Sequence, residues 1–206
     1  MSRARADVRS GNAVRWRGSI SAGAIALAIA LAGCGGSSLD SYSLTAPRDG
    51  IYGRSSSRQM AVTEPVASSP YDSERIVVTT GPGEVAYLKG AQWIERLPRH
   101  LQTMMIQSFE NARLLRSVGR PGERFVAQVS LNSEIRRFDI DVSSREAIVE
   151  ISAKIVAESS GRIVAARIFS ARVPGGAQDG KAASAALDEA LARTLREIVA
   201  WASSQG

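Results

Sequence analysis

Ala147, Val149, Ile151, Ala153, Ile155 and Ala157 fall at every second position, with Glu150, Ser152, Lys154 and Glu158 on the other parity. A period of two puts all six on one side of a β-strand, whereas a helix would scatter them around its circumference. Upstream, Phe125, Ala127, Val129 and Leu131 alternate with Val126, Gln128, Ser130 and Asn132, and the apolar set then becomes Phe138, Ile140 and Val142. That is the opposite parity. A strand cannot change its buried face without an extra residue, so the spacing predicts a bulge or break between Asn132 and Arg137. Downstream, Ser159-Ser160-Gly161-Arg162 makes a turn, and 163–173 returns with apolar residues on both parities before Pro174-Gly175-Gly176 stops it. Apolar residues on both sides point to a central strand covered on both faces.

Helical spacing frames these strands. Ile94, Leu97, Leu101, Met104 or Met105, Ser108 and Ala112 recur at steps of three and four over 92–111. Pro98 inside that pattern favours a start near Leu97, where a missing N–H in the first turn costs little. The methionine pair and Phe109 read as core filling. Leu187, Leu191, Leu195, Ile198 and Ala202 form a second stripe over 181–202, which predicts a helix packed on the domain's own sheet in preference to a membrane. Earlier segments are shorter. Tyr42-Ser43-Leu44-Thr45-Ala46-Pro47 is a possible strand stopped by proline, and 48–58, with Gly50, Gly53 and three serines, reads as a loop. Met60, Val62 and Val66, then Ile76-Val77-Val78, give two strand candidates around Pro65 and Pro70, and Val85-Ala86-Tyr87-Leu88 a third. Gly81-Pro82-Gly83 between the last two is a hairpin turn and no phosphate cradle, because Pro82 removes a backbone donor and a strand follows. The fold class that results is α+β, a mainly antiparallel sheet with two amphipathic helices packed on one face.

The chain begins with five arginines and an uncharged apolar run from Ile20 to Leu31. A run this short cannot cross a hydrocarbon core that needs roughly 20 residues, and it has the layout of an export signal. It ends in Leu31-Ala32-Gly33-Cys34, and Cys34 is the chain's single cysteine. That small-residue site resembles a lipobox, with cleavage between Gly33 and Cys34 and acylation of Cys34. Two or three acyl chains, each methylene contributing roughly 0.8 kcal/mol, would tether the mature protein durably to a bilayer. Of 26 basic and 20 acidic residues, the segment before Cys34 holds five and one, so the mature charge is close to neutral, with both signs mixed. That pattern lacks the clustered basic stripe of a nucleic-acid surface. A single cysteine excludes an internal disulfide and a cluster of soft metal ligands.

Chemistry is sparse. The one histidine, His100, sits on the first helix beside arginine, with no exposed serine in a strand-turn-helix setting to pair with it. It reads as an exposed helical histidine, because a triad needs a nucleophile on one ring nitrogen and an orienting acid on the other. Asp139 and Asp141 share a strand face but are flanked by Arg136, Arg137 and Arg145, and they read as a solvated edge. No catalytic residue, no cofactor and no metal site is expected.

The order of the pieces carries a resemblance. A lipobox, Tyr42-Ser43-Leu44, a short strand pair, Trp93-Ile94-Glu95-Arg96-Leu97 opening a helix, three long strands and a final amphipathic helix resemble the auxiliary lipoprotein component of ABC-type transport systems. This family includes the paraquat-inducible-type lipoprotein subunit that works with mammalian-cell-entry domain proteins. The resemblance runs from Tyr42 to Trp201. It implies a non-enzymatic, lipid-anchored subunit working with a mammalian-cell-entry protein, an ABC permease and an ATPase to move phospholipid between membranes. Gly35 stands where aspartate would retain such a lipoprotein at the inner membrane, which implies the periplasmic face of the outer membrane. The organisation that follows is a signal peptide over 1–33, a lipid-anchored flexible linker over 34–58 and the auxiliary-component domain over 59–206. Homo-oligomerisation is a possible further association. Val126, Val156, Val164 and Trp93 are the candidate partner contacts, Val126, Val156 and Val164 as apolar residues on otherwise polar or small faces. A scaffold lipoprotein supporting an outer-membrane barrel is the alternative.

Overall fold

A computed structural model describes residues 39–205. Along the chain run β1 (Asp40–Tyr42), β2 (Ser56–Val62), β3 (Val66–Ala67), β4 (Arg75–Gly81), β5 (Glu84–Trp93), α1 (Leu97–Ala112), β6 (Leu115–Gly119), β7 (Val129–Asp141), β8 (Glu146–Ala157), β9 (Ile163–Pro174) and α2 (Gly180–Ser204). The signal segment, Gly33 and Cys34 lie outside the described residues.

Strand β7 is the spine. On one side it pairs antiparallel with β8, which pairs antiparallel with β9. On its other side β2, β3 and β4 lie end to end, each parallel to it, meeting Val129 to Leu131, Glu134 to Ile135 and Asp139 to Asp141 in turn. Beyond β2 lies β6; beyond β4 lie β5 and then β1. The fold is α+β as expected, but the sheet is mixed, with five of its eight strand pairings parallel and the longest ladders antiparallel. A half-buried strand alternates in the same way whichever direction its neighbour runs, so the pattern of one segment cannot tell the two apart. The turn at Gly81-Pro82-Gly83 joins β4 to β5 as a hairpin, and Gly83 has φ +75°, a left-handed conformation that suits glycine.

The expected bulge is present. Ile135 pairs with Ile151 and Arg137 with Glu150, so Arg136 is the extra residue. It lets Val129, Leu131 and Ile135 before it and Phe138 and Ile140 after it all enter one core. Both helices cover that face. Leu187, Leu191, Leu195 and Ile198 of α2 and Leu101, Met105 and Phe109 of α1 are buried there, with Pro98 in the first turn of α1. Asp179 caps α2, its Oδ1 accepting from the Ala182 N–H at 2.7 Å.

Three expectations change. Among the described residues strand β9 is an edge, bonded to β8 alone, not a central strand. Its apolar residues occupy both parities because Phe169 and Val173 enter the core while Ile168 and Val164 stand exposed on the other side. The span 34–58 is not linker throughout. Asp40, Ser41 and Tyr42 pair with β5, Leu44 and Ala46 are buried in the core, and β2 begins at Ser56. The short strand lies at 40–42, ahead of the expected 42–47, since Leu44 and Ala46 turn inward against the helices.

Candidate functional site

The helix-free face of the sheet is built from the residues of β7, β8 and β9 that alternate with the core set. At one end it is closed by the segment 68–74. Tyr71 turns back through hydrogen bonds of its own N–H and that of Asp72 to the Ser68 carbonyl. Its hydroxyl donates to Asp139 Oδ2 at 2.8 Å. Arg137, two residues before Asp139 on the same strand face, donates to both carboxylate oxygens, at 3.1 and 2.6 Å, and Thr79 donates to Oδ1 at 3.1 Å. Asp139 is fully buried, so the expectation of a solvated edge is corrected; the cover comes from a loop some 70 residues upstream. Burial, and then the Asp139 charge, push the Tyr71 hydroxyl well above its usual range, while the bond to Asp139 raises the Arg137 guanidinium further. Asp141 remains near solvent at the β7–β8 turn. Bonds from the Ser143 hydroxyl and the Ser144 N–H hold it down at about 2. Tyr71, Thr79 and Arg137 converge on Asp139, and this cluster staples the loop to the sheet.

His100 is the second correction. It is 1% exposed, facing the segment 43–47 that crosses both helices. Its Nε2 accepts from the Leu44 N–H at 3.3 Å and lies 3.4 Å from the Ser43 hydroxyl, while Nδ1 has no partner among the described residues. With no acid on Nδ1, the Ser43–His100 pair lacks the arrangement of a triad. Desolvation lowers the imidazole's pKa. The same segment is held by Thr45 N–H to Asp188 Oδ1 at 2.7 Å, and further along by Asn111 Nδ2 to the Pro47 carbonyl at 3.1 Å. His100 is thus a clasp between α1 and the chain's entry into the domain. Among the described residues, no group of three or more His, Cys, Asp or Glu side chains is arranged to hold a metal, and no helix is long and apolar enough to cross a membrane.

The other end of the helix-free face is open. A shallow groove of about 530 Å³ runs there between Val66, Asn132 and Glu134 on one side and Ser152, Lys154, Val156 and Ile163 on the other. Of the expected contact residues, Val164 is 50% exposed on the edge strand and Val156 is half-buried in the groove wall, paired with Ile163. Val126 is 81% exposed but precedes β7, outside the groove. Trp93 is not available to a partner. It is buried, edge-on to Phe138 with ring centroids 5.8 Å apart, and its backbone N–H donates to the Glu74 carbonyl at 2.7 Å. Sequence reasoning missed Ile163 and Ile168, which are 59% and 51% exposed. Their signal was the double-parity apolar pattern of β9, assigned to burial on both faces.

Comparison with known proteins places this architecture. The family model of the ABC-type transport auxiliary lipoprotein component matches residues 42–199. An uncharacterized protein of Bradyrhizobium diazoefficiens is 29% identical over 165 residues, covering 78% of this chain, and the chain spans 44% of that relative's length. A crystal structure from Xanthomonas campestris, of the DUF330 family, superposes with a TM-score of 0.71 at 28% identity, over 79% of this chain and 94% of the other. The hypothetical protein CT253 of Chlamydia trachomatis shares the fold at TM-score 0.52 and 10% identity, over 72% of this chain and 96% of that one. The match from Tyr42 to Val199 takes in every element from β2 to α1 and on to the long β7–β8–β9 sheet and most of α2, so the chain belongs to the ABC-type transport auxiliary lipoprotein components.

Proposed function

We propose that the chain is a non-enzymatic subunit of an envelope lipid-transport machine, acylated at Cys34 after cleavage behind Gly33 and held at the periplasmic face of the outer membrane. Its partners on this reading are a mammalian-cell-entry domain protein with an ABC permease and ATPase, and the cargo is phospholipid. The observation that carries the reading is the family match across 42–199. The layout of the domain supports it. The buried polar groups, His100 and Asp139, are engaged in holding the fold, while apolar side chains are exposed on the open end of the sheet. Exposed apolar residues rimmed by charge are what a docking surface needs. Tethering at a membrane would raise the domain's effective concentration for partners in the same layer.

The test is affinity purification of the tagged protein from detergent-solubilised envelopes, with mass spectrometry of what accompanies it and palmitate labelling of wild type and Cys34→Ala. Recovery of the mammalian-cell-entry protein with its permease and ATPase, and loss of label and membrane attachment in Cys34→Ala, are expected. Recovery of an outer-membrane barrel alone would overturn the transport reading in favour of a scaffold.

A further inference from the structure

We propose that β9 is the docking site for an extended, acidic and apolar segment of a partner protein, which adds to the sheet as a further strand. This deepens the reading above by locating where an auxiliary subunit engages its partner and by what chemistry. The first support is the edge itself. Strand β9 has twelve residues and among the described residues bonds only to β8, so alternate N–H and C=O groups along its outer side have no strand partner there. Such an edge is a template for strand addition unless it is covered, shortened or guarded by charge. The second is its side chains. Ile168 lies opposite Ser152 on the helix-free face, with Ile163 opposite Val156, and both are more than half exposed. Soluble edges seldom leave large aliphatic residues in water without a use for them.

Charge selects the occupant. Strand β9 carries Arg167 and Arg172 and no acid, and the turn before it carries Arg162 and Glu158. Arg172 is neutralised by Glu146 at 3.3 Å. Arg167 is not paired with a carboxylate among the described residues and instead lies over the Phe169 ring, its guanidinium carbon 4.9 Å from the centroid. Lys154, on the neighbouring strand opposite Ala166, is exposed and also has no acidic partner among the described residues. Arg167 shares the helix-side face with Ala153, and Ile168 the helix-free face with Ser152. An incoming strand with a carboxylate opposite Arg167 on one parity and aliphatic side chains opposite Ile163 and Ile168 on the other would meet both faces at once, with Lys154 adding positive charge one strand inward on the Ile168 face. A second copy of β9 would double the positive charge along the joint, which disfavours self-pairing.

The probe is a fluorescein-labelled ten-residue peptide of alternating valine and glutamate, with an alternating valine and lysine peptide as control. Both are titrated against the full chain purified in detergent. Fluorescence anisotropy should show binding of the glutamate peptide and little of the lysine peptide. Amide hydrogen exchange should slow within 163–173 when the glutamate peptide is bound. Arg167→Glu should weaken the glutamate peptide about tenfold, since an attraction becomes a repulsion, and should raise affinity for the lysine peptide. Ile168→Ser, on the opposite parity, should weaken both peptides alike, since it removes an apolar contact and leaves the charge unchanged. Both positions are exposed, so thermal midpoints should stay at the wild-type value. Equal binding of the two peptides, or exchange protection elsewhere, would overturn the inference. So would concentration-dependent dimerisation that protects 163–173 without peptide, because the occupant is then a second copy. Loss of the transporter from the affinity purification with peptide binding intact would instead strike the transport reading and leave the edge assignment standing.

Discussion

Two side chains show how burial redefines what a residue does. Asp139 receives hydrogen bonds from Arg137, Tyr71 and Thr79 in a site closed to water. Asp139→Ala leaves a half-covered guanidinium and a tyrosine hydroxyl without their acceptor, and should cost about 3 kcal/mol. By calorimetry that corresponds to a fall in Tm of roughly 6 to 12 °C for a domain of this size. Adding Arg137→Met should cost less than the sum of the two single changes, because the second substitution removes the stranded charge. A loss below about 1 kcal/mol would return the cluster to the solvated surface that sequence suggested. His100 gives a pH dependence. Its folded-state pKa lies below the usual 6.5 because burial penalises the imidazolium. Above pH 6.5 the ring is neutral in both folded and unfolded chains and full stability is present. As pH falls below that, the unfolded chain takes up the proton first and stability declines, by at most about 1.4 kcal/mol per pH unit. Asp188, raised above its usual 3.8 by burial, acts in the opposite sense and in a lower window. His100→Gln, whose amide oxygen can still accept from Leu44, should flatten the profile between pH 7 and 5.5 in urea titrations. Neither role was legible in the sequence, because the covers are the segments 68–74 and 43–47, whose docking no local pattern encodes.

At the scale of elements, the strands with one wet face were legible and their pairing was not. Alternation located β7 and β8, and the switch of parity within β7 located the bulge at Arg136 to within a few residues. The parallel alignment of β2, β3 and β4 along β7 left no trace in hydrophobic spacing, since each is a short segment whose partner lies 60 or more residues away. Strand β9 was misplaced for a related reason: apolar residues on both parities arise from burial on both faces or from one buried face and one exposed apolar face. The bulge permits a sharp comparison. Deleting Arg136 removes the extra residue but leaves Leu131 and Phe138 on the core side. Its Glu150 bridge at 2.8 Å is half-exposed and contributes less than about 1 kcal/mol. Deleting Asn132 instead, with the bulge kept at Arg136, flips Val129 and Leu131 to the open face, losing roughly 1.5 to 3 kcal/mol of burial for each. Circular dichroism melts should show a cooperative transition for the first deletion, at a reduced midpoint, and none for the second. Similar melts for both would mean that the strand absorbs either deletion by giving up the bulge at Arg136.

For the whole molecule, the early entry of the chain into the sheet changes what an anchor would do. With β1 starting at Asp40 and Leu44 clasped by His100, an acylated Cys34 would be separated from the described domain by only the residues before Leu39. Five residues span at most about 18 Å when fully extended. A tether of the length expected from sequence, running to residue 58, could have let the domain range several times farther. On the proposed acylation at Cys34, the domain should therefore stay against the bilayer. Trp93 and Trp201, the two tryptophans after Cys34, can report on this through energy transfer to dansyl-labelled headgroups in vesicles carrying the lipidated protein. Inserting twenty glycine and serine residues between Ser38 and Leu39 adds a flexible coil with a mean span of roughly 25 Å. Transfer should then drop while the melting midpoint stays unchanged, since the insertion lies outside the folded domain. If transfer is unaffected, the domain holds itself on the membrane by its own surface, and the helix-free sheet face with Ile163 and Ile168 becomes the place to look for that contact. If the midpoint falls with it, the clasp at Leu44 depends on strain carried through the tether, and His100→Gln should then lower transfer in the wild-type tether as well.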